Sequence, residues 1–198
     1  MTKEAKLLKH NADLQAYFDA LTGAEQKRIV FGDGSAQAQI VLIGEAPGEQ
    51  ESIQGRPFVG KAGKILDEFL ENTGILRKEL YITNVVKWRP TAISKAGRTI
   101  NRAPNKEELL LFIPWLQKEL TLLAPKVIVT LGNTPLRAVS GDPRTVIGDH
   151  HGQCYGTGAF GAVFFPLYHP AAVIYNRTLR DTYLNDLAAL RALIAQLG

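Results

Sequence analysis

Glu45 and Glu51 stand in GEAPGEQE, residues 44–51, directly after an apolar run that stops at Gly44. A carboxylate in such a place can orient a water molecule or balance positive charge on a reacting group. Gly44 and Gly48 let the backbone approach a ligand closely, and Pro47 stiffens the turn around Ala46. N–H groups exposed there can hold an anion or a carbonyl oxygen. The same glycines also suit an ordinary strand-to-loop turn, and surface acids are mostly just solvated. The stretch is not a phosphate-binding P-loop, and it lacks the GxGxxG pattern of dinucleotide sites.

Three further side chains invite a chemical reading. Phe58 lies in an open loop between Gly55 and Gly60, where a ring either joins the core or stacks on a flat ligand. Asn84 interrupts an apolar strand. A buried amide must be hydrogen-bonded, either to tie down a neighbouring loop or to read the edge of a ring that pairs N–H with C=O. His169 precedes a proline at a strand end. It serves as a structural residue or, as neutral imidazole, donates to an oxygen that gains charge during a reaction. His150 and His151 form a pair beside Asp149 without a third ligand nearby, so no metal is expected.

The elements that must position these residues alternate between strand and helix. Residues 39–44, 80–87, 126–131 and 163–168 read as strands, the last at an edge or bulged because of Pro166. Residues 7–21, 62–72, 104–123 and 178–197 read as helices. The alternation predicts a layered α/β domain with a mostly parallel sheet. Ligands bind outside the carboxyl ends of such strands, which brings Gly44–Gly48, Asn84, Gly132-Asn133 and His169 to one rim.

The whole chain suits one domain over residues 1–198, with residues 1–29 as an N-terminal helical extension. It has no apolar run long enough for a membrane span and no secretory signal pattern, so a cytoplasmic monomer is expected. One cysteine, Cys154, excludes an internal disulfide and an all-cysteine metal site. Net charge is +4. Lys87, Arg89, Lys95, Arg98, Arg102 and Lys106 follow one another with no acid between them. That loop is either kept soluble by its charge or built to touch phosphates.

Together these motifs resemble the uracil-DNA glycosylase superfamily, most closely its family 4 branch. The matching text is GEAPGEQE at 44–51, GRPFVGKAG at 55–63, YITNVVKWRP at 81–90 and YHPAAV at 168–173. VFGDG at 30–34 and PKVIVTLG at 125–132 add to it. The resemblance implies a three-layer α/β/α sandwich with a central four-stranded parallel sheet. It implies an enzyme that flips uracil out of single- or double-stranded DNA and hydrolyses its N-glycosidic bond. The alternative is a glycosylase fold that only binds DNA or damage.

Carried over, Phe58 stacks on the base and the backbone of Gly44, Ala46, Pro47 and Gly48 lines the pocket. Asn84 reads uracil's N3–H and O4, a pattern that cytosine reverses. His169 faces the pyrimidine O2. Ala46 falls where other branches carry a catalytic aspartate, which makes Glu45, then Glu51, the carboxylate candidates. Lys87, Arg89, Arg98 and Arg177 are the expected phosphate contacts, with Val173 or Ile174 as the wedge. The chain departs from family 4 in its cysteines. Relatives hold an iron–sulfur cluster through four; here two are missing near the N-terminus, and Trp88 and Phe112 stand at the others. No cofactor is therefore expected, with a packed apolar patch in the cluster's volume.

Overall fold

Strands buried on both faces build the sheet. The structure, a computed structural model, describes residues 1–22, 27–157 and 160–197. Among these, the strands are β1 (Asp33–Gly34), β2 (Ile40–Gly44), β3 (Leu80–Asn84), β4 (Thr91–Ile93), β5 (Thr99–Asn101), β6 (Val127–Leu131), β7 (Tyr155–Thr157) and β8 (Val163–Leu167). The helices are α1 (Lys3–Thr22), α2 (Glu49–Gln54), α3 (Lys61–Thr73), α4 (Lys106–Leu123), α5 (Asn133–Ser140), α6 (Ile147–His150), α7 (Pro170–Tyr175) and α8 (Leu179–Leu197). The main sheet has the order β1-β3-β2-β6-β8-β7. Its four inner strands are parallel, with the short β1 and β7 added antiparallel at either edge. The central four-stranded parallel sheet thus has two short antiparallel additions that the sequence reading lacked.

Alternate residues of each inner strand enter opposite cores. Ile40, Leu42, Ile82, Val129 and Phe165 face a cluster with α3 and α8, including Leu66, Phe69 and Leu187. Val41, Ile43, Tyr81, Ile128 and Phe164 face the other side, against Leu116 and Leu120 of α4. Helices therefore cover both faces, as three layers require. α1 packs on α4 and sends Leu14 and Phe18 into a third, aromatic cluster with Trp88 and Phe112. No described helix is long and apolar enough to cross a membrane.

Two elements differ from the sequence reading. β3 ends at Asn84, and the chain bends through residues 85–88, where Val85 and Val86 donate to the carbonyls of Gly44, at the end of β2, and Glu45. The basic loop holds a hairpin, β4 paired antiparallel with β5 around a turn at Gly97. Pro166 sits in β8, where the partner β7 has already stopped pairing at Phe164. The missing N–H of proline therefore breaks no bond to β7.

Candidate active site

Gly44 and Asn84 end β2 and β3 as directly paired residues. Their parity turns both toward the face that carries α3. A Cβ on Gly44 would lie 2.4 Å from Asn84 Oδ1 and 2.6 Å from Phe58 Cζ. Only a glycine lets the amide and the ring come this close. Phe58 holds a positive φ of 52°, unusual for a non-glycine residue. Its carbonyl packs on Gly63 so tightly that a Cβ there would come within 2.0 Å. Helix α3 thus fixes the strained residue from behind. Asn84 is 2% exposed and, among the described residues, its amide has no hydrogen-bond partner. It lines a cavity of about 390 Å³ with Phe58 and His169, within the usual size range of ligand pockets.

His169 caps α7. Its Nδ1 accepts from the Ala171 N–H at 3.1 Å, which leaves the ring proton on Nε2. Burial, only partly opposed by the Glu51 charge, brings its pKa down to about 4. The imidazole is therefore neutral near pH 7 and has one N–H to donate. Its ring centre lies 6.0 Å from that of Phe58.

The two glutamates are held differently. Glu51 Oε1 accepts from Val59 N at 3.0 Å and Gly60 N at 2.7 Å, and Oε2 from Gly48 N at 3.1 Å. Both oxygens thus tie the 44–48 loop to the Phe58 loop. Glu45 Oε2 accepts the Thr134 hydroxyl at 2.5 Å. Its other oxygen has no such partner among the described residues. Glu45 lines a neighbouring hollow of about 690 Å³ with Pro47, Gly132 and Asn133. The two hollows share Ala46, Gly48, Asn101, His169 and Tyr175, so they form one cleft at the carboxyl ends of the strands.

The family model of the uracil DNA glycosylase superfamily matches residues 31–192. The chain belongs to this superfamily. It is 38% identical to the Type-4 uracil-DNA glycosylase of Pyrobaculum aerophilum, over 82% of each chain. It is 38% identical to that of Saccharolobus solfataricus, over 81% of this chain and 74% of the relative. For the Thermotoga maritima protein the identity is 36%, over 86% of this chain and 85% of the relative.

Around this glycosylase-superfamily cleft the basic residues divide. Lys87 does not reach the surface. It is 1% exposed, and its ammonium bonds Glu119 Oε2 and Thr83 Oγ1, each at 2.5 Å. This corrects its expected phosphate contact: the chain bends after Asn84 and carries the Lys87 side chain into the core, beside Thr83 and Glu119. Val173 is corrected too. It is 8% exposed and packed in the core with α3 and α8. Its neighbour Ile174 is 42% exposed and lines the cleft. Arg98 is exposed on the hairpin, and Arg177 is exposed beyond α7. Arg89 reaches Asn101 Oδ1 at 2.7 Å and Glu49 at 3.2 Å.

The sequence reading missed Thr134, Asn101 and Tyr175. Tyr175 is 89% exposed at the cleft edge, and YHPAAVIY already places it one residue past the wedge candidate. Asn101 lies far along the basic loop, and no local pattern announces that the hairpin returns it to Gly48. His150 and His151 do not gather ligands. His151 Nδ1 pairs with Asp186 at 2.8 Å, and His150 lies against Tyr155. Among the described residues no three metal-binding side chains cluster.

Proposed function

We propose that this protein is a DNA-repair glycosylase that flips uracil out of DNA and hydrolyses its N-glycosidic bond, leaving an abasic site. One observation carries the reading. Asn84 is a buried amide with free hydrogen-bonding capacity, facing a base-sized cavity between Phe58 and His169. Such an amide is costly to bury unless a ligand completes its bonds. Uracil does so with N3–H and O4; cytosine meets it with the wrong polarity.

Flipping costs a few kcal/mol, and stacking on Phe58 offsets part of it. Arg89, Arg98 and Arg177 hold flanking phosphates, and Ile174 enters the vacated stack. The C1′–N1 bond then breaks and its electron pair stays on the uracil ring. The Nε2–H of His169 donates to O2, where charge builds up, and the backbone of the 44–48 loop lines the same pocket. Glu45, oriented by Thr134, faces the electron-poor sugar with its free oxygen and positions the water that adds to C1′. One proton of that water passes to the carboxylate. Glu51 acts by holding the two pocket loops in register.

The residues present do not fit an iron–sulfur cluster. The chain has the single cysteine Cys154, exposed, and Trp88 and Phe112, which the resemblance to family 4 sets at two of the ligand positions, are buried against each other. The enzyme we propose is a cytoplasmic monomer that needs no cofactor and acts on single- or double-stranded DNA. The test is alkali-sensitive cleavage of a uracil-containing oligonucleotide, with a cytosine control. Uracil-dependent abasic sites are expected, and Asn84→Asp should lose the preference for uracil over cytosine. Bound but uncleaved DNA would make the protein a binding module instead.

A further inference from the structure

The basic hairpin hangs on one small knot of side chains. Trp88, at its start, is buried edge-to-face on Phe112 at 4.8 Å and near-perpendicular to Phe18 at 5.2 Å. Phe18 in turn stacks on Phe112 at 4.4 Å. Three elements, α1, α4 and the hairpin base, thus meet in one aromatic contact. The Trp88 indole N–H donates to Glu108 Oε1 at 3.1 Å. Glu108 also receives Arg102 twice, at 2.6 and 2.9 Å, and the Asn105 N–H at 2.9 Å. Arg102 donates onward to the Thr91 carbonyl at 3.0 Å. The Glu108 carboxylate therefore gathers both ends of the segment 88–105. Asn101 is the neighbour of Arg102 and the partner of Arg89, and it borders both halves of the cleft.

We propose that Trp88 is a positioning residue for excision: its ring and indole N–H lock the hairpin base to α1 and α4, and so hold Asn101 and Arg89 at the pocket mouth without a metal cluster. The inference rests on the glycosylase reading for its rate effect, but not for its structural part. The aromatic contact fills the volume and the carboxylate supplies the directed bonds. Bidentate arginine and indole contacts to one carboxylate fix an angle as well as a distance.

The test compares the wild-type protein with Trp88→Phe, which keeps a packed ring and removes only the N–H, and with Glu108→Gln. Trypsin reads hairpin opening at the exposed Lys95 and Arg98. Single-turnover excision at saturating DNA reads positioning, and a uracil-free duplex reads affinity. In Trp88→Phe, hairpin cleavage should rise about tenfold, the order expected for one bond to a charged group. Excision by the folded protein should fall by a similar factor, with duplex affinity little changed and the melting temperature lowered by only the few degrees that one lost bond accounts for. A purely structural role would lower the melting temperature and leave the excision rate of folded protein alone. Wild-type cleavage at Lys95 and Arg98 in both variants overturns the clamp. A loosened hairpin with unchanged excision overturns the positioning role. If wild-type protein excises no uracil, the glycosylase reading fails, and the trypsin comparison still decides the clamp.

Discussion

The Asn84 pocket and the basic hairpin meet at Asn101, yet different physics holds each. The pocket is fixed by backbone: strand ends, Gly44, the positive φ of Phe58 and three N–H bonds to Glu51. The hairpin is fixed by side chains, through Trp88, Arg102 and Glu108, and shows Ile93, Lys95, Arg98 and Ile100 to solvent. A bond-breaking site needs its groups within fractions of an ångström. A phosphate-gripping surface needs only charge within reach. The difference predicts large, all-or-none effects in the pocket and graded ones on the hairpin.

Gly44→Ala should have the largest effect. The new methyl would meet both Asn84 and Phe58, so it forces apart the two side chains that line the pocket. Displacement on that scale costs on the order of 100-fold or more in excision rate. Affinity for uracil-free duplex should stay, because no hairpin contact changes. Fluorescence anisotropy beside a single-turnover assay separates the two. Equal loss in both would show that pocket and hairpin are one unit.

Lys87→Met comes next, and it tests which region Lys87 belongs to. The change strips the cation from Glu119, which among the described residues keeps only the hydroxyls of Tyr81 and Thr83. Breaking a buried pair of this kind costs about 3–5 kcal/mol. Denaturant unfolding should show that loss, with the salt dependence of DNA binding unchanged. A shallower salt slope at native stability would return Lys87 to the DNA surface.

Lys87 also marks where the sequence stopped being legible. Strand periodicity, glycines at strand ends and the YHP motif locate Gly44, Asn84 and His169, because local rules govern them. The bond from Thr134 to Glu45 spans 89 positions, and the return of Asn101 to Gly48 depends on the hairpin. Such contacts leave no periodic trace. Lys87 and Val173 look like surface residues by type or by place. Their orientation follows from where β3 and α7 run, and that is a tertiary fact.

Acid should separate the regions more gently. An unfolded histidine titrates at about 6.5 and an unfolded glutamate near 4.5. His169, lowered to about 4 by burial, stays neutral in the folded state while the unfolded chain takes up a proton. Stability is therefore lost as pH falls from 6.5 to 4. Burial pushes Glu108 up, but Arg102, the Asn105 N–H and Trp88 outweigh it and hold the pKa at about 2. Its contribution is complete above 4.5 and is lost as pH falls through 2. Unfolding free energies measured against pH should fall in two windows. His169→Gln should flatten the upper window, which His10 shares because burial lowers it too. Glu108→Gln should flatten the lower one.

Arg98→Ala should have the smallest effect and sharpens the contrast most. Arg98 is exposed at the hairpin tip; its backbone N–H donates to Ser94 Oγ, its carbonyl accepts from the Ser94 N–H, and among the described residues its guanidinium has no hydrogen-bond partner. Its guanidinium is free to meet a phosphate, and nothing in the pocket leans on it. Losing one phosphate contact lowers the salt slope of DNA binding by about one and weakens affinity uniformly across sequences. The excision rate at saturating DNA should not move. A fall in that rate with no change in slope would mean that the tip, like the base of the hairpin, transmits position to the pocket rather than charge to the DNA.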